Sequence, residues 1–136
     1  MKYGYLSLVI ILLSGCLNIP HTEGGYAAPA NNVCSVIAGA TIVASDGQYL
    51  GKITNQYDSD SVLNDYGSYG GTYSATSIWN QYGSYGGEYS ANSPFNEFSS
   101  SPPRIVKDGS VIGYLSVSQN IANSLNPYVI KSCKFY

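Results

Sequence analysis

Residues 61–76, SVLNDYGSYGGTYSAT, and residues 77–92, SIWNQYGSYGGEYSAN, write one phrase twice, and residues 93–98, SPFNEF, begin it a third time. The two full copies hold Tyr66, Tyr69, Tyr73, Tyr82, Tyr85 and Tyr89, six of the chain's fourteen tyrosines, together with Trp79, its single tryptophan. A tyrosine offers a large rigid face and a polar tip at small entropic cost, and tyrosine mixed with Ser, Gly and Asn is the composition of adaptable binding surfaces. Sugar rings or a protein partner could stack on such faces, so these seven aromatics are the binding candidates. The alternative is that they form the core of a domain poor in aliphatic residues. Core is the expectation for most of them, with the outer ones free to bind.

Other chemistry is less well supplied. The acidic stretch DSDSVLND places Asp58, Asp60 and Asp65 near Asn64, and oxygen ligands at alternating positions could hold calcium. The glycine and terminal glutamate of an EF-hand loop are missing, so a capped turn is the stronger reading. Serines are plentiful, but the only histidine, His21, falls in a Gly/Ala/Pro-rich stretch near the start, and no Ser-x-x-Lys pattern is present to activate a hydroxyl. Carboxylates and tyrosines could act as acid and base, as in glycosidases, yet no spacing singles out a pair. No glycine loop follows a strand and opens a helix as a phosphate site requires. The expectation is a non-catalytic module with no cofactor. A hydrolase of envelope polymers using carboxylates and tyrosine, and a calcium-stabilised structural domain, are the alternatives.

The first residues, MKYGYLSLVIILLSGC, run from one lysine through an apolar stretch of about ten residues to small residues, the layout of a secretory signal. The apolar stretch falls short of the roughly 20 residues that span a bilayer. Leu13-Ser14-Gly15-Cys16 resembles the lipobox of bacterial lipoproteins, which implies cleavage before Cys16 and acylation of its thiol. Residues 1–15 are then a signal peptide, and residues 16–32 a lipidated cysteine and flexible tether. The expected location is a membrane, with the chain lipid-anchored and facing away from the cytoplasm. Leu17 in place of aspartate allows the outer membrane in a diderm host. Without Lys2 the mature chain carries five basic and eight acidic side chains, a net charge of −3. That leaves no basic stripe for nucleic acid.

Setting Cys16 aside leaves Cys34 and Cys133, near the two ends of residues 33–136, which are long enough for one small domain. Outside the cytosol a disulfide is expected, against the rival of two buried free thiols. Their neighbours read as strand residues, so the bridge would join the first and last strands. Two segments flank the repeats and resemble each other: VASDGQYLGKIT (43–54) and IVKDGSVIGYLS (105–116). Asp-Gly between β-prone runs signals a two-residue hairpin with positive φ at both central positions. Gly51 and Gly113 fit bulges or close backbone approaches. SVIAG (35–39) and PYVIKSCKF (127–135) read as further strands.

The fold expected is therefore mainly β, with two similar hairpins in a small sheet or barrel and the Tyr/Gly-rich repeats inserted as short helical turns and loops. Glycines costing about 1 kcal/mol each relative to alanine exclude a continuous helix across the repeats, despite near-helical spacing of their aromatics. Ser61, Ser77 and Ser93 sit where caps would, with Leu63, Trp79 and Phe95 turned toward the core.

The pattern Tyr-Gly-x-Tyr-Gly-x-x-Tyr-Ser-x-x-Ser-x-Trp-Asn, followed by SPFNEF, PPRIV, an Asp-Gly turn and IGYLS, resembles a family of small secreted bacterial proteins that share this block. The resemblance runs from about Gly51 to Leu115. It implies one co-folded unit from hairpin to hairpin and transfers no catalytic residues. The functional expectation is a membrane-anchored, extracytoplasmic binding or structural module of the cell envelope, with a glycan or an envelope protein as its partner.

Overall fold

The computed structural model describes residues 30–136. The signal segment 1–15, Cys16, His21 and most of the tether lie outside the described residues. In order come helix α1 (Ala30–Ile37), strands β1 (Thr41–Val43), β2 (Tyr49–Lys52), β3 (Arg104–Lys107), β4 (Ser110–Leu115) and β5 (Ser124–Leu125), and helix α2 (Tyr128–Ser132). The strands form one mixed sheet in the order β2-β1-β3-β4-β5. It is not closed into a barrel, and among the described residues no helix is long and apolar enough to cross a membrane. Ile42, Leu50, Ile105 and Leu115 are the buried aliphatic residues of the strands, joined in the core by Ala40, Ala44, Ile53 and Ile130.

The two Asp-Gly segments do form hairpins lying side by side, since β1 pairs with both β2 and β3, and β3 with β4. Their turns differ. Asp108 (φ 50°) and Gly109 (φ 81°) are both left-handed, as a two-residue I′ turn requires. At the first hairpin only Gly47 has positive φ (94°). There the Gly47 N–H donates to the Ala44 carbonyl and the Ala44 N–H to the Gln48 carbonyl. This is a three-residue loop closed by a glycine bulge rather than the expected I′ turn. The Asp46 carboxylate, accepting from the Gln48 N–H at 3.0 Å, favours that geometry by holding the turn from its own side chain. Adding a Cβ at Gly109 meets no atom within 4 Å, so its cost is conformational alone. Gly109→Val is expected to lower stability by more than about 1 kcal/mol in chemical denaturation; an unchanged midpoint would contradict the positive-φ requirement.

Gly51 and Gly113 are bulge and close-approach positions. Gly51 (φ 107°) lies where the β1–β2 register shifts. A Cβ there would fall 2.6 Å from the Tyr69 Cβ and 2.9 Å from the Asp60 carbonyl, and one on Gly113 would fall 2.8 Å from the Asn123 carbonyl. The glycines admit neighbouring chain to the sheet at both places.

The two expected terminal strands are helices instead. SVIAG begins inside α1, and PYVIKSCKF contains α2. Short β-branched apolar runs do not distinguish strand from buried helix. Asn126-Pro127 decides the second case: the Asn126 side chain accepts the Tyr128 N–H at 2.9 Å, and Pro127 takes helical φ and ψ ahead of the helix. Cys34 and Cys133 form a disulfide, with Cα atoms 5.6 Å apart. It joins α1 to the residue capping α2, not the first and last strands.

Candidate functional site

The repeats fold as a chain of reverse turns, each opening on the residue that closes the one before. N–H groups of Asp58, Ser61, Asn64 and Gly67 donate to the carbonyls three residues earlier, and the same ladder runs through Ser74, Ser77, Asn80 and Gly83 to Ser90, Ser93, Asn96 and Ser99. The Gly67–Gly71 and Gly83–Gly87 steps span four residues. Four three-residue steps and one four-residue step make the sixteen-residue period. Such spacing imitates helical period without a helix. It also extends the coil beyond 61–98, from Asn55 to Ser99.

The residue types are those this geometry needs. Asn, Asp and Ser open turns because their side-chain oxygens accept the N–H two residues on. Ser61 does so for Leu63, Ser77 for Trp79, Ser93 for Phe95, Asn64 for Tyr66 and Asn80 for Tyr82. The side-chain amides of Asn64, Asn80 and Asn96 also reach back six residues, to the carbonyls of Asp58, Ser74 and Ser90. Each turn is thereby pinned to the one two steps earlier. Asp58 opens a turn in this way, accepting the Asp60 N–H, and its other oxygen lies 4.0 Å from the Lys52 Nζ. Among the described residues no group of three or more His, Cys, Asp or Glu is gathered to hold a metal ion.

Every aromatic of the coil occupies the third position of a turn, and the face it lands on decides its environment. The buried wall is made one position earlier, by Val62, Ile78 and Pro94, all fully buried. The expectation that Leu63, Trp79 and Phe95 would fill the core is corrected: they are half-buried. Tyr69 and Tyr85, in the four-residue steps, are also half-buried. Tyr69 meets Tyr49 edge-on at 5.1 Å, and the Tyr85 hydroxyl donates to the Asp46 carboxylate at 2.8 Å. Tyr66, Tyr73, Tyr82 and Tyr89 stand in solvent, 78–100 % exposed. The core that the tyrosines were expected to provide is aliphatic, and none of the seven candidates is buried.

The Asp46–Tyr85 contact docks the first hairpin tip on the coil, beside a second bond from the Ser45 hydroxyl to the Asn92 amide oxygen at 2.8 Å. The Gln48 N–H, then the Tyr85 hydroxyl, lower the Asp46 pKa; the same carboxylate raises that of Tyr85. A lowered carboxylate pKa stabilises the contact above its unfolded value, about 3.9, and the contribution disappears as pH falls through the lower folded value. The raised phenol sets the opposite limit, with loss as pH rises through its folded value. The Gln48 amide resonance should therefore titrate with a midpoint below the ordinary aspartate value, and Tyr85→Phe should move that midpoint upward. A midpoint unmoved in the variant would mean that the Tyr85 hydroxyl does not reach Asp46 in solution.

Helix α2 crosses the Leu63–Trp79–Phe95 stripe. The Tyr128 ring lies 5.3 Å from Phe95 and 6.2 Å from Trp79, and the Lys131 Nζ sits 4.3 Å over the Trp79 ring. The indole N–H donates to the Val62 carbonyl at 2.6 Å, fixing the ring's orientation. On one side of this cluster opens a groove of about 820 Å³, bordered by Trp79, Tyr82, Glu88, Tyr89, Phe95 and Tyr128. The Glu88 carboxylate, next to the Tyr89 hydroxyl, holds that phenol's pKa up. Four of the seven aromatics singled out in the sequence stay away from this groove, while Trp79, Tyr82 and Tyr89 meet in it. Phe95, Tyr128 and Glu88 join them unannounced. Phe95 could have been found as the third-copy counterpart of Trp79; nothing in the sequence pairs Tyr128 with the repeats.

No protein-family model, curated protein or solved structure matches this chain. The groove and the exposed rings are accordingly the features on which a functional reading rests.

Proposed function

We propose that the chain is a non-catalytic binding module of the cell envelope, lipid-anchored at Cys16, whose turn coil presents aromatic rings to a glycan. The observation that carries the reading is the pair of exposed ring rows. Tyr57, Tyr73 and Tyr89 recur at sixteen-residue spacing, as do Tyr66, Tyr82 and Phe98, and all six are at least 78 % exposed. A small domain normally buries such rings, and exposing large apolar groups in a regular array is a mark of an interaction surface. The hydroxyls of the five tyrosines supply hydrogen bonds alongside ring faces, the combination that a polyhydroxylated ring requires. The low charge of the chain favours an uncharged partner over nucleic acid.

The reading has two tests. Mass spectrometry of membrane-fraction protein should find an acylated amino-terminal Cys16; a mature chain starting elsewhere would remove the anchor. Purified protein should be retained on immobilised envelope polysaccharide, and replacing Tyr66, Tyr73, Tyr82 and Tyr89 together by alanine should weaken retention at least tenfold without changing the thermal midpoint appreciably. Equal retention of wild type and variant would end the ring-array proposal.

A further inference from the structure

We infer that the groove between the second repeat and α2 is the primary subsite for one uncharged hexopyranose ring of that glycan, an inference that rests on the binding reading above. The groove differs from the rest of the coil surface in three respects. First, it is concave and of the size class of small-molecule sites, with about 820 Å³ of space. Second, its rings come at different angles: Trp79 and Phe95 are inclined by 54° at 5.8 Å, and Phe95 and Tyr128 by 59° at 5.3 Å. Trp79 and Phe95 are half-buried and Tyr128 is exposed, so the inclined rings offer both faces and edges, and Tyr82 and Tyr89 of the exposed rows border the same space. Third, polar groups sit on the rim next to the rings. Gln81, Thr72 and the Glu88–Tyr89 pair border the same space. A carboxylate can accept from one hydroxyl of a vicinal diol and the phenol oxygen beside it from the next, while the axial C–H face of the ring lies on an aromatic.

Charge selects among sugars. Glu88 borders the groove, and the Lys131 ammonium is already seated over the Trp79 ring. A uronate or phosphorylated sugar would meet the Glu88 carboxylate with no cationic side chain among the described residues that border the groove, and such a like-charge contact is unfavourable. A neutral ring has no such cost. Trp79 is the anchor because its indole is held by the Val62 carbonyl and does not have to be ordered on binding.

The experiment measures binding of the purified full chain in detergent to glucose, N-acetylglucosamine and galacturonic acid hexasaccharides by calorimetry, with Trp79 emission as a second readout. Wild type is expected to bind a neutral hexasaccharide with a change in Trp79 emission and little dependence on salt, and to bind the galacturonate chain at least tenfold more weakly. Tyr128→Ala and Glu88→Gln should each weaken neutral binding at least fivefold. Tyr57→Ala combined with Tyr66→Ala, array rings outside the groove, should weaken binding less than either groove variant and leave the emission change at saturation unaltered. Binding lost in the Tyr57/Tyr66 variant but kept in Tyr128→Ala and Glu88→Gln would overturn the groove assignment and leave the glycan reading standing. Tighter binding of the galacturonate chain would overturn the charge argument. No binding of any hexasaccharide by wild type would remove both the subsite and the glycan reading.

Discussion

Gly86→Ala is expected to destabilise the domain by about 3 kcal/mol, at the upper end of overpacking effects, although the change adds one methyl group. A Cβ at Gly86 would lie 2.3 Å from the Asn80 carbonyl oxygen and 2.6 Å from that of Ile78. Neither oxygen belongs to a side chain that could swing aside. The Asn80 carbonyl accepts the Gly83 N–H, and the Asn80 side chain accepts the Tyr82 N–H and donates to the Ser74 carbonyl. Relieving the clash therefore means opening at least one of the bonds that link three turns. Ile78, whose carbonyl is the second obstacle, has its side chain fully buried in the core. Gly70→Ala should behave alike, since its Cβ would fall 2.2 Å from the Asn64 carbonyl. Gly47→Ala is the control, with positive φ but no atom within 4 Å, and should cost only about 1 kcal/mol. Urea denaturation of the three variants checks the order. A Gly86→Ala midpoint within experimental error of wild type would show that the repeats do not close around that glycine.

This contrast shows what the sequence could convey. Two Asp-Gly pairs announced two hairpins, and the sheet holds both side by side. The pairs could not announce that their turns differ, because Asp46 forms its bond to Gln48 only in the longer loop. The repeated Ser61, Ser77 and Ser93 announced caps, and they do accept N–H groups two residues on. The path of the chain after each cap was not legible. A turn that ends after three residues and a helix that continues start with the same side-chain bond, and the difference lies in the next opener, which captures the chain before a fourth residue can join. Once turns are chained, the second position faces inward. That single offset moved the core from Leu63, Trp79 and Phe95 to Val62, Ile78 and Pro94.

The groove was the least legible part because it depends on a contact between remote segments. Tyr128 meets Phe95 and Trp79 only because α2 is placed against the coil. No periodicity carries that information.

That dependence gives the remaining large effect. Removing the Cys34–Cys133 disulfide is expected to lower stability by roughly 3–5 kcal/mol, close to the 4.7 kcal/mol that chain entropy gives for a loop of about 100 residues. The bridge spans a sequence separation of 99, so nearly the whole described fold lies inside the loop it closes. It also ties down α2, a five-residue helix too short to persist without packing. Ile130 is its one fully buried anchor, while Tyr128 and Lys131 are held against Trp79 and Phe95. In Cys34→Ala/Cys133→Ala, the urea midpoint should fall. Trp79 emission should shift to longer wavelength at denaturant concentrations where the sheet is still formed, because α2 leaves the coil before the sheet opens. Reduction of wild-type protein should reproduce both changes. Coincident loss of Trp79 burial and sheet signal would show that α2 and the sheet unfold as one unit, and an unchanged midpoint would show that the bridge contributes nothing to the folded domain.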